Sequence, residues 1–253
     1  MYISNKSLIS DEIISVDQFT INDIRSISFA IENDSDNILH DIFTSKISKN
    51  FTNVDIFNSL INARCKYINN KITLNNGTSN INISIDNIIS KLNNNIVHIR
   101  EELSINNLNI ILDYPDLLYF NSSDELMISC IKLIRIKDKL INFNNITKSE
   151  KLDILNNLPV KVIDSIEKFI IKNNKDIVLF ESKLGIDEIT VNFFNNSSFL
   201  ILKNLYHYYN YDSLIEILFM ISKRITDMSF LNSRTPYELD EIIRMYGEEM
   251  SEK

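Results

Sequence analysis

Hydrophobic residues recur at every third or fourth position in the segment 197–250, and this spacing predicts amphipathic helices. The first predicted helix begins near 197, the second at Ser213 and the third at Thr235. Ser213 and Thr235 are each followed by a glutamate three residues later, which is typical of a capping box, and Pro236 suits the first helical position. The expected inward-facing residues are Phe199, Leu202, Leu205, Tyr206 and Tyr209; Leu214, Ile217, Leu218, Ile221 and Ile225; and Leu239, Ile242, Ile243, Tyr246 and Met250.

Earlier segments show the same helical spacing. Three of them begin at a capping residue: Thr20, Ser123 or its neighbour Asp124, and Thr147 followed by Glu150. The first predicted helix follows Thr20 and carries Ile24, Ile27 and Ile31 on its apolar face. The second spans 37–47, with Ile38, Leu39, Ile42 and Phe43 expected to face inward. Further helices are predicted from Val54 onward and over 86–92, 123–130, 147–158 and 160–172.

Alternation of hydrophobic and polar residues predicts strands in the middle of the chain. One hairpin turns at Asn75-Asn76-Gly77, a sequence typical of a tight turn. A second turns at Asn106-Asn107 and ends at Tyr114-Pro115. The two hairpins together predict a small antiparallel sheet across residues 70–114. Further predicted strands are a short extended segment at 8–16, a hairpin over 133–143, and strands at 177–180 and 189–193.

These elements predict an α+β fold that is mostly helical, with a small antiparallel sheet in the N-terminal half and a C-terminal helical lobe. The polar, asparagine-rich segment 142–149 interrupts the pattern, and we place a lobe boundary there. The predicted lobes are residues 1–145, an α+β lobe with antiparallel hairpins, and residues 146–253, which are mainly helical.

Composition narrows the class of partner. The chain has 253 residues, 44% of them hydrophobic, which is ample for a buried core. Its formal charge is −8 and its lysines and arginines form no block, so we expect no nucleic-acid partner and no anionic membrane surface. The first residues lack the pattern of a signal peptide, and no window approaches the ~20 apolar residues of a membrane span.

The residue types that carry most site chemistry are scattered. His40, His98 and His207 lie far from one another and from Cys65 and Cys130, so no metal-ligand spacing is present. The two cysteines lie among apolar neighbours, which predicts buried, reduced thiols. The three glycines are also isolated, which argues against a phosphate-binding loop. We therefore expect no cofactor, no metal and no catalytic residue.

One constellation resembles a metal-dependent nuclease. Asp176 precedes the predicted strand 177–180, and Glu181 and Lys183 follow it. An acid and a lysine at the end of a strand, with a second acid nearby, could hold a divalent metal and activate water. The alternative is a solvated charge pair on one face of a strand. Because the chain lacks a basic surface for DNA, we favour the charge pair.

The order of several segments resembles that of one known protein family. They are a first helix over 19–32, a helix that starts with Val54-Asp55-Ile56-Phe57 and leads to Ala63-Arg64, a strand over 108–115 that ends in Tyr114-Pro115, the run Cys130-Ile131-Lys132-Leu133-Ile134, the segment 155–169 with Leu158-Pro159, Phe193-Phe194, and the closing Thr235-Pro236-Tyr237-Glu238-Leu239. In this order and spacing the chain is similar to the baseplate hub assembly proteins of T-even-like contractile-tailed bacteriophages.

The resemblance implies a structural or chaperone-like protein that helps to assemble a phage tail baseplate hub by protein–protein binding. Its expected partners are other tail or baseplate hub proteins, and a homo-oligomer is compatible with it. The expected location is the virion tail baseplate or the cytoplasm of the infected bacterial host. The family supplies no catalytic residues, so we expect a protein that is not an enzyme. Two alternatives stay open: a metal-dependent nuclease-like enzyme and a generic viral interaction module.

Overall fold

The computed structural model describes residues 2–10, 12–47, 51–75, 80–105, 107–137, 139–181, 188–223 and 227–251. Within these ranges the chain combines helices with four small antiparallel sheets, so the fold is α+β as predicted. The strands are β1 (Tyr2–Lys6), β2 (Ile13–Asp17), β3 (Lys71–Asn75), β4 (Asn80–Ser84), β5 (Glu101–Ile105), β6 (Leu108–Leu112), β7 (Ile131–Ile136), β8 (Lys139–Asn142), β9 (Ile177–Glu181) and β10 (Glu188–Val191). The helices are α1 (Ile21–Glu32), α2 (Asp36–Ser45), α3 (Asn53–Tyr67), α4 (Ile85–Asn95), α5 (Ser123–Cys130), α6 (Lys148–Asn156), α7 (Val160–Asn173), α8 (Ser197–Tyr206), α9 (Tyr211–Ser222), α10 (Met228–Asn232) and α11 (Pro236–Ser251).

The N-terminal segment is a hairpin rather than the single extended segment predicted at 8–16. Strands β1 and β2 pair antiparallel, with Tyr2 opposite Asp17 and Lys6 opposite Ile13. Leu8 and Ile9 fall in the connection between the strands, where they pack against the core. The polar sequence of β1 concealed it, because only β2 has fully buried side chains, Ile14 and Val16.

Helix α3 lies at the centre of the fold, and all of its residues are buried except the half-buried Asn62 and Cys65 and the exposed Lys66. Its polar residues are buried because they bind distant segments. The Asp55 carboxylate accepts hydrogen bonds from the Ser7 hydroxyl (2.8 Å), the Leu8 amide (2.7 Å) and the Thr52 hydroxyl (2.9 Å). These bonds attach the N-terminal hairpin to the first turn of α3.

Two more polar residues of α3 bind the second half of the chain. The Asn53 side chain donates to the carbonyl of Phe193 (2.7 Å), and the Arg64 Nε donates to the carbonyl of Leu205 (2.6 Å). A second nitrogen of Arg64 donates to the carbonyl of Asn69 (2.8 Å). Because an unpaired buried polar group costs stability, these bonds fix how α3 sits against α8.

The prediction of one sheet across residues 70–114 is wrong. Strands β3 and β4 form a separate two-stranded sheet, whereas β5 and β6 belong to a four-stranded sheet in the order β5-β6-β7-β8. Helix α4 separates the two hairpins along the chain, and β6 pairs on its other side with β7. The predicted hairpin over 133–143 therefore completes this sheet. The turn at 76–79 lies outside the described residues.

Most predicted helices are confirmed, with local corrections. Thr20 and Thr147 cap α1 and α6 in capping boxes. Helix α5 is capped by Ser122, one residue before the predicted positions. In α2, Leu39 and Phe43 are buried, but Ile38 is 53% exposed, so its predicted inward orientation is wrong. Leu39 and Phe43 are four residues apart and share one face, and Ile38 lies outside that face.

The C-terminal helices also differ from the prediction in detail. Helix α9 begins at Tyr211 and is capped by Asn210, not by Ser213. Helix α8 ends at Tyr206, so Tyr209 follows the helix instead of belonging to its face. The short helix α10, capped by Asp227, was not predicted. The capping box at Thr235 is confirmed by its hydrogen bonds with Glu238. Ile225 and the side chains of Tyr246 and Met250 lie outside the described residues.

Buried hydrophobic residues from both predicted lobes belong to one connected cluster. Aromatic rings join the two parts: Phe57 meets Phe193 edge to face at 5.6 Å between ring centroids, and Phe19 meets Tyr206 at 4.8 Å. The boundary near residue 145 stays a prediction. In the described ranges, no helix has the length and apolar character needed to span a membrane.

Candidate functional site

A groove of about 950 Å³ lies between α4, the extended segment 96–100 and β9. Its floor is apolar: the ring of Tyr114 packs against those of Phe193 and Phe194, at centroid distances of 6.1 and 5.8 Å. The Tyr114 hydroxyl donates to the carbonyl of Val97 (3.1 Å), which holds the extended segment in place. Burial raises the pKa of Tyr114 to about 12, so this hydroxyl stays a neutral donor.

Two members of the nuclease-like constellation line this groove. Asp176 lies before β9 and Glu181 is its last residue, whereas Lys183 lies outside the described residues. The Asp176 carboxylate accepts a hydrogen bond from the Asn192 side chain (2.9 Å). Among the residues that the structure describes, no three His, Cys, Asp or Glu side chains are grouped so as to hold a metal ion. In the structure Asp176 therefore holds the side chain of Asn192, at the corner between β10 and α8.

That corner depends on Asn192, which sequence reasoning missed. Its buried amide donates to Asn174 (2.7 Å) as well as to Asp176, and its carbonyl oxygen atom Oδ1 accepts from the Phe194 amide (2.9 Å). Its backbone amide donates to the hydroxyl of Ser197 (2.6 Å). Asn192 thus joins the start of β9 to the start of α8. One asparagine in an asparagine-rich sequence gives no signal of this role.

A smaller cavity of about 210 Å³ is lined by charged side chains, including Asp55, Asp113, Asp116 and Lys132. Lys132 donates from Nζ to the carbonyl of Ser129 (2.8 Å). Burial lowers the pKa of this lysine, and the nearby Asp116 opposes that shift. Because the negative charges of the aspartates and the positive charge of the lysine compensate one another in this cavity, we interpret the cluster as a structural feature.

The three histidines are not brought together. His40 is half-buried in α2, and burial lowers its pKa. His98 is exposed and its ring accepts from the Arg100 amide (3.4 Å). His207 lies 3.6 Å from the carboxylate of Glu32. Each has its own surroundings, so the histidines do not form a common site.

Both cysteines are free thiols, and Cys130 is fully buried. Burial raises the pKa of Cys130 to about 12 and also raises that of the half-buried Cys65. We therefore expect iodoacetamide at about pH 8, near the ordinary thiol pKa, to leave Cys130 of the native protein unmodified, because the thiolate is the reactive form. Mass spectrometry after timed labelling measures this, with the urea-unfolded protein as control, in which both thiols should react. Rapid labelling of native Cys130 would contradict the buried position.

The C-terminal helices carry several exposed large hydrophobic side chains. Two of the aromatic rings lie under cations: Lys223 Nζ is 3.9 Å from the centroid of the Phe219 ring, and the Arg234 guanidinium is 4.0 Å from that of Phe230. Such contacts stabilise an aromatic ring at the surface. The exposed large hydrophobic residues of α9, α10 and α11 are Phe219, Met220, Phe230, Tyr237 and Met245, and we call them the helical-lobe surface.

Residues 1–200 match the family described as T4 bacteriophage base plate protein. The match ends within α8, so α9, α10 and α11 follow the matched region. No curated protein and no solved structure gave a significant match. Since the matched residues make up well over half of the 253, the chain belongs to the T4 bacteriophage base plate protein family.

Proposed function

We propose that this protein is a structural or chaperone-like component in the assembly of the phage tail baseplate hub, and that it acts by binding other baseplate proteins without catalysing a reaction. The observation that carries the proposal is the family match over residues 1–200. Membership of the family supports the general part of this proposal, which is a structural role in the baseplate of the virion tail. Placement in the hub and action during assembly go beyond the match and need experiment.

The exposed side chains of the helical-lobe surface support a binding role. Exposed Phe, Tyr and Met side chains are enriched at protein–protein interfaces, where burying them supplies much of the affinity. Phe219 and Met220 are neighbours on α9 and are both more than half exposed. The cation over Phe219 can move away when a partner covers the ring, because a surface cation–π contact is weak.

The proposal predicts that the full chain captures a hub protein from a set of separately purified baseplate proteins of the same phage. The double change Phe219→Ser and Met220→Ser is expected to weaken capture by roughly tenfold or more, because two interface anchors are lost. The matched control is Val160→Ser with Ile171→Ser, which removes two exposed apolar side chains from α7. Affinity is measured by biolayer interferometry.

Two outcomes would contradict this function. The first is a folded chain that binds no baseplate protein. The second is divalent-metal-dependent DNA cleavage that is lost in Glu181→Ala, which would establish the nuclease-like alternative. The possible homo-oligomer remains a prediction, and so does the generic interaction module, which capture of partners outside the baseplate would favour.

A further inference from the structure

We propose that two copies of this chain form a two-fold dimer in which the exposed faces of their α9 helices pack antiparallel. That face contains two members of the helical-lobe surface, Phe219 and Met220, between Glu216 and Lys223. The dimer is a property of the chain alone, so this inference does not rest on the proposed function. It gives these apolar side chains an occupant when no baseplate protein is present.

The residues of the proposed interface lie on one side of α9. Phe219 follows Glu216 by three residues and precedes Lys223 by four, so helical spacing places all three on one face with Met220. Lys223 is the C-cap residue and keeps helical backbone angles. All four residues are exposed. The other side of the helix is buried against the rest of the chain, through Leu214, Leu218 and Ile221.

The order of these residues is self-complementary. An acid, Glu216, lies three residues before the apolar pair Phe219-Met220, and a base, Lys223, lies three residues after it. In an antiparallel pair centred between Phe219 and Met220, Glu216 of each copy therefore faces Lys223 of the other. Both charges lie about 5 Å from the centre along the helix axis, at ~1.5 Å per residue. Because a two-fold axis repeats each contact, one pattern supplies two ion pairs around a central apolar contact.

Both charged side chains are available for these pairs. In the ranges that the structure describes, neither Glu216 nor Lys223 takes part in an ion pair within the chain. Lys223 Nζ instead lies 3.9 Å from the centroid of the Phe219 ring, beside the apolar centre that a second copy would cover. The net charge of −8 repels two copies at long range. Physiological salt screens that repulsion beyond about 8 Å, whereas charges in direct contact still attract.

Charge also determines the orientation of the two helices. A parallel pair would place Glu216 beside Glu216 and Lys223 beside Lys223, and like charges oppose that arrangement. Asp212, one turn before Glu216, lies about 11 Å from the centre of the antiparallel pair, where two helices that cross at an angle have begun to separate. The antiparallel pair is therefore the arrangement that the charges favour.

The size of the interface predicts a weak dimer. One helix from each copy gives an interface below ~1,200 Å², a size typical of transient complexes. We expect a dissociation constant on the order of 10 µM. A protein that binds the same apolar side chains more tightly would displace the second copy.

Sedimentation equilibrium of the purified full chain, from about 1 to about 200 µM, tests the dimer around its expected dissociation constant. Glu216→Lys and Lys223→Glu should each weaken dimerisation by roughly tenfold or more, because each change creates two like-charge contacts. An equimolar mixture of the two variants should dimerise again, since both ion pairs re-form between unlike chains. The double variant, with both changes in one chain, should also recover.

The matched controls are Glu167→Lys and Lys168→Glu on α7. Both residues are exposed, and the two changes alter the net charge by the same amounts as those on α9, so neither should affect dimerisation. Far-ultraviolet circular dichroism establishes that each variant is folded. If one of the α9 charge variants does not fold, the double variant still tests the swapped pairs, and Phe219→Ser with Met220→Ser should abolish the dimer with both charges kept.

Three results would overturn the proposal. The first is a chain that stays monomeric over the whole concentration range. The second is a dimer that neither charge reversal weakens, and the third is a pair of weakened variants whose mixture stays monomeric. Because only the chain itself is present, these results leave the capture of baseplate proteins unaffected. A chain that captures no baseplate protein can equally still dimerise, so the two proposals fail separately.

Discussion

Replacing Tyr206 with alanine is expected to lower the free energy of unfolding by about 4 kcal/mol, which is typical of a buried aromatic residue reduced to alanine. Tyr206 is fully buried on α8. Its ring lies 4.8 Å from that of Phe19 and 5.0 Å from that of Phe43, between centroids. The change would leave a cavity where α8 packs against α1 and α2. Urea unfolding followed by far-ultraviolet circular dichroism measures the difference.

Tyr206→Phe is the matched control, because it keeps the ring and removes only the hydroxyl. That hydroxyl donates to the carbonyl of Leu60 (2.7 Å). Its loss should cost about 1–2 kcal/mol. Burial raises the pKa of Tyr206, so the folded state holds this proton more tightly than the unfolded state. The stability that the Tyr206 hydroxyl contributes is therefore complete at pH values below the unfolded pKa of about 10 and declines at higher pH. In Tyr206→Phe, the free energy of unfolding should fall less as the pH rises above 10. Equal losses in the two variants would show that the cavity contributes nothing.

Replacing Arg64 with alanine is expected to cost about 3 kcal/mol. The side chain is 5% exposed, and it donates to Leu205 (2.6 Å) and to the backbone and side-chain oxygens of Asn69 (2.8 and 2.9 Å). Removing the guanidinium takes the Arg64 donor from the buried Leu205 carbonyl and from the half-buried Asn69 carbonyl, and an unpaired buried group costs about 1–3 kcal/mol, whereas the Asn69 side-chain oxygen still accepts from the Lys71 amide (3.3 Å). Part of this cost is offset because burial disfavours the cation, as its lowered pKa indicates.

Arg64→Lys tests whether charge alone suffices. A lysine has a single nitrogen and cannot reach Leu205 and Asn69 in the two directions of the guanidinium, so we expect most of the loss to remain. The control is Arg25→Ala on α1, a partly exposed residue whose guanidinium donates to the Asn22 side chain (2.7 Å) in a solvent-exposed hydrogen bond, and this change should alter stability by less than about 0.5 kcal/mol. A neutral Arg64→Ala would contradict the buried hydrogen bonds. Chemical denaturation at neutral pH measures all three variants.

Local signals in the sequence predicted much of the secondary structure. Thr20, Thr147 and Thr235 cap helices as expected, because a capping box is made by residues three positions apart. The predicted cap of α9 was wrong for a local reason as well. Ser213 with Glu216 mimics a capping box, whereas the residue that caps the helix, Asn210, is one of many asparagines in the sequence.

Features that depend on distant residues were not predictable. Asp55 and Arg64 look like surface residues of a polar helix, and they are buried only because Ser7 and Leu205 meet them from far along the chain. The pairing of β6 with β7 was missed because it joins separate hairpins. The groove needs α4, the segment 96–100 and β9 together, and no periodicity relates these segments. Asp176, singled out for its chemistry, instead bonds Asn192.

The position of α3 has a consequence for synthesis on the ribosome. This helix emerges early, yet the carbonyl that Arg64 requires follows 141 residues later, and the one that Asn53 requires follows 140 residues later. Contacts this far apart in sequence form slowly, since a long loop must close first. A nascent chain halted before α8 would hold its most buried helix uncovered and prone to aggregate. The ribosome must therefore translate past residue 205 before the rest of the chain can cover α3.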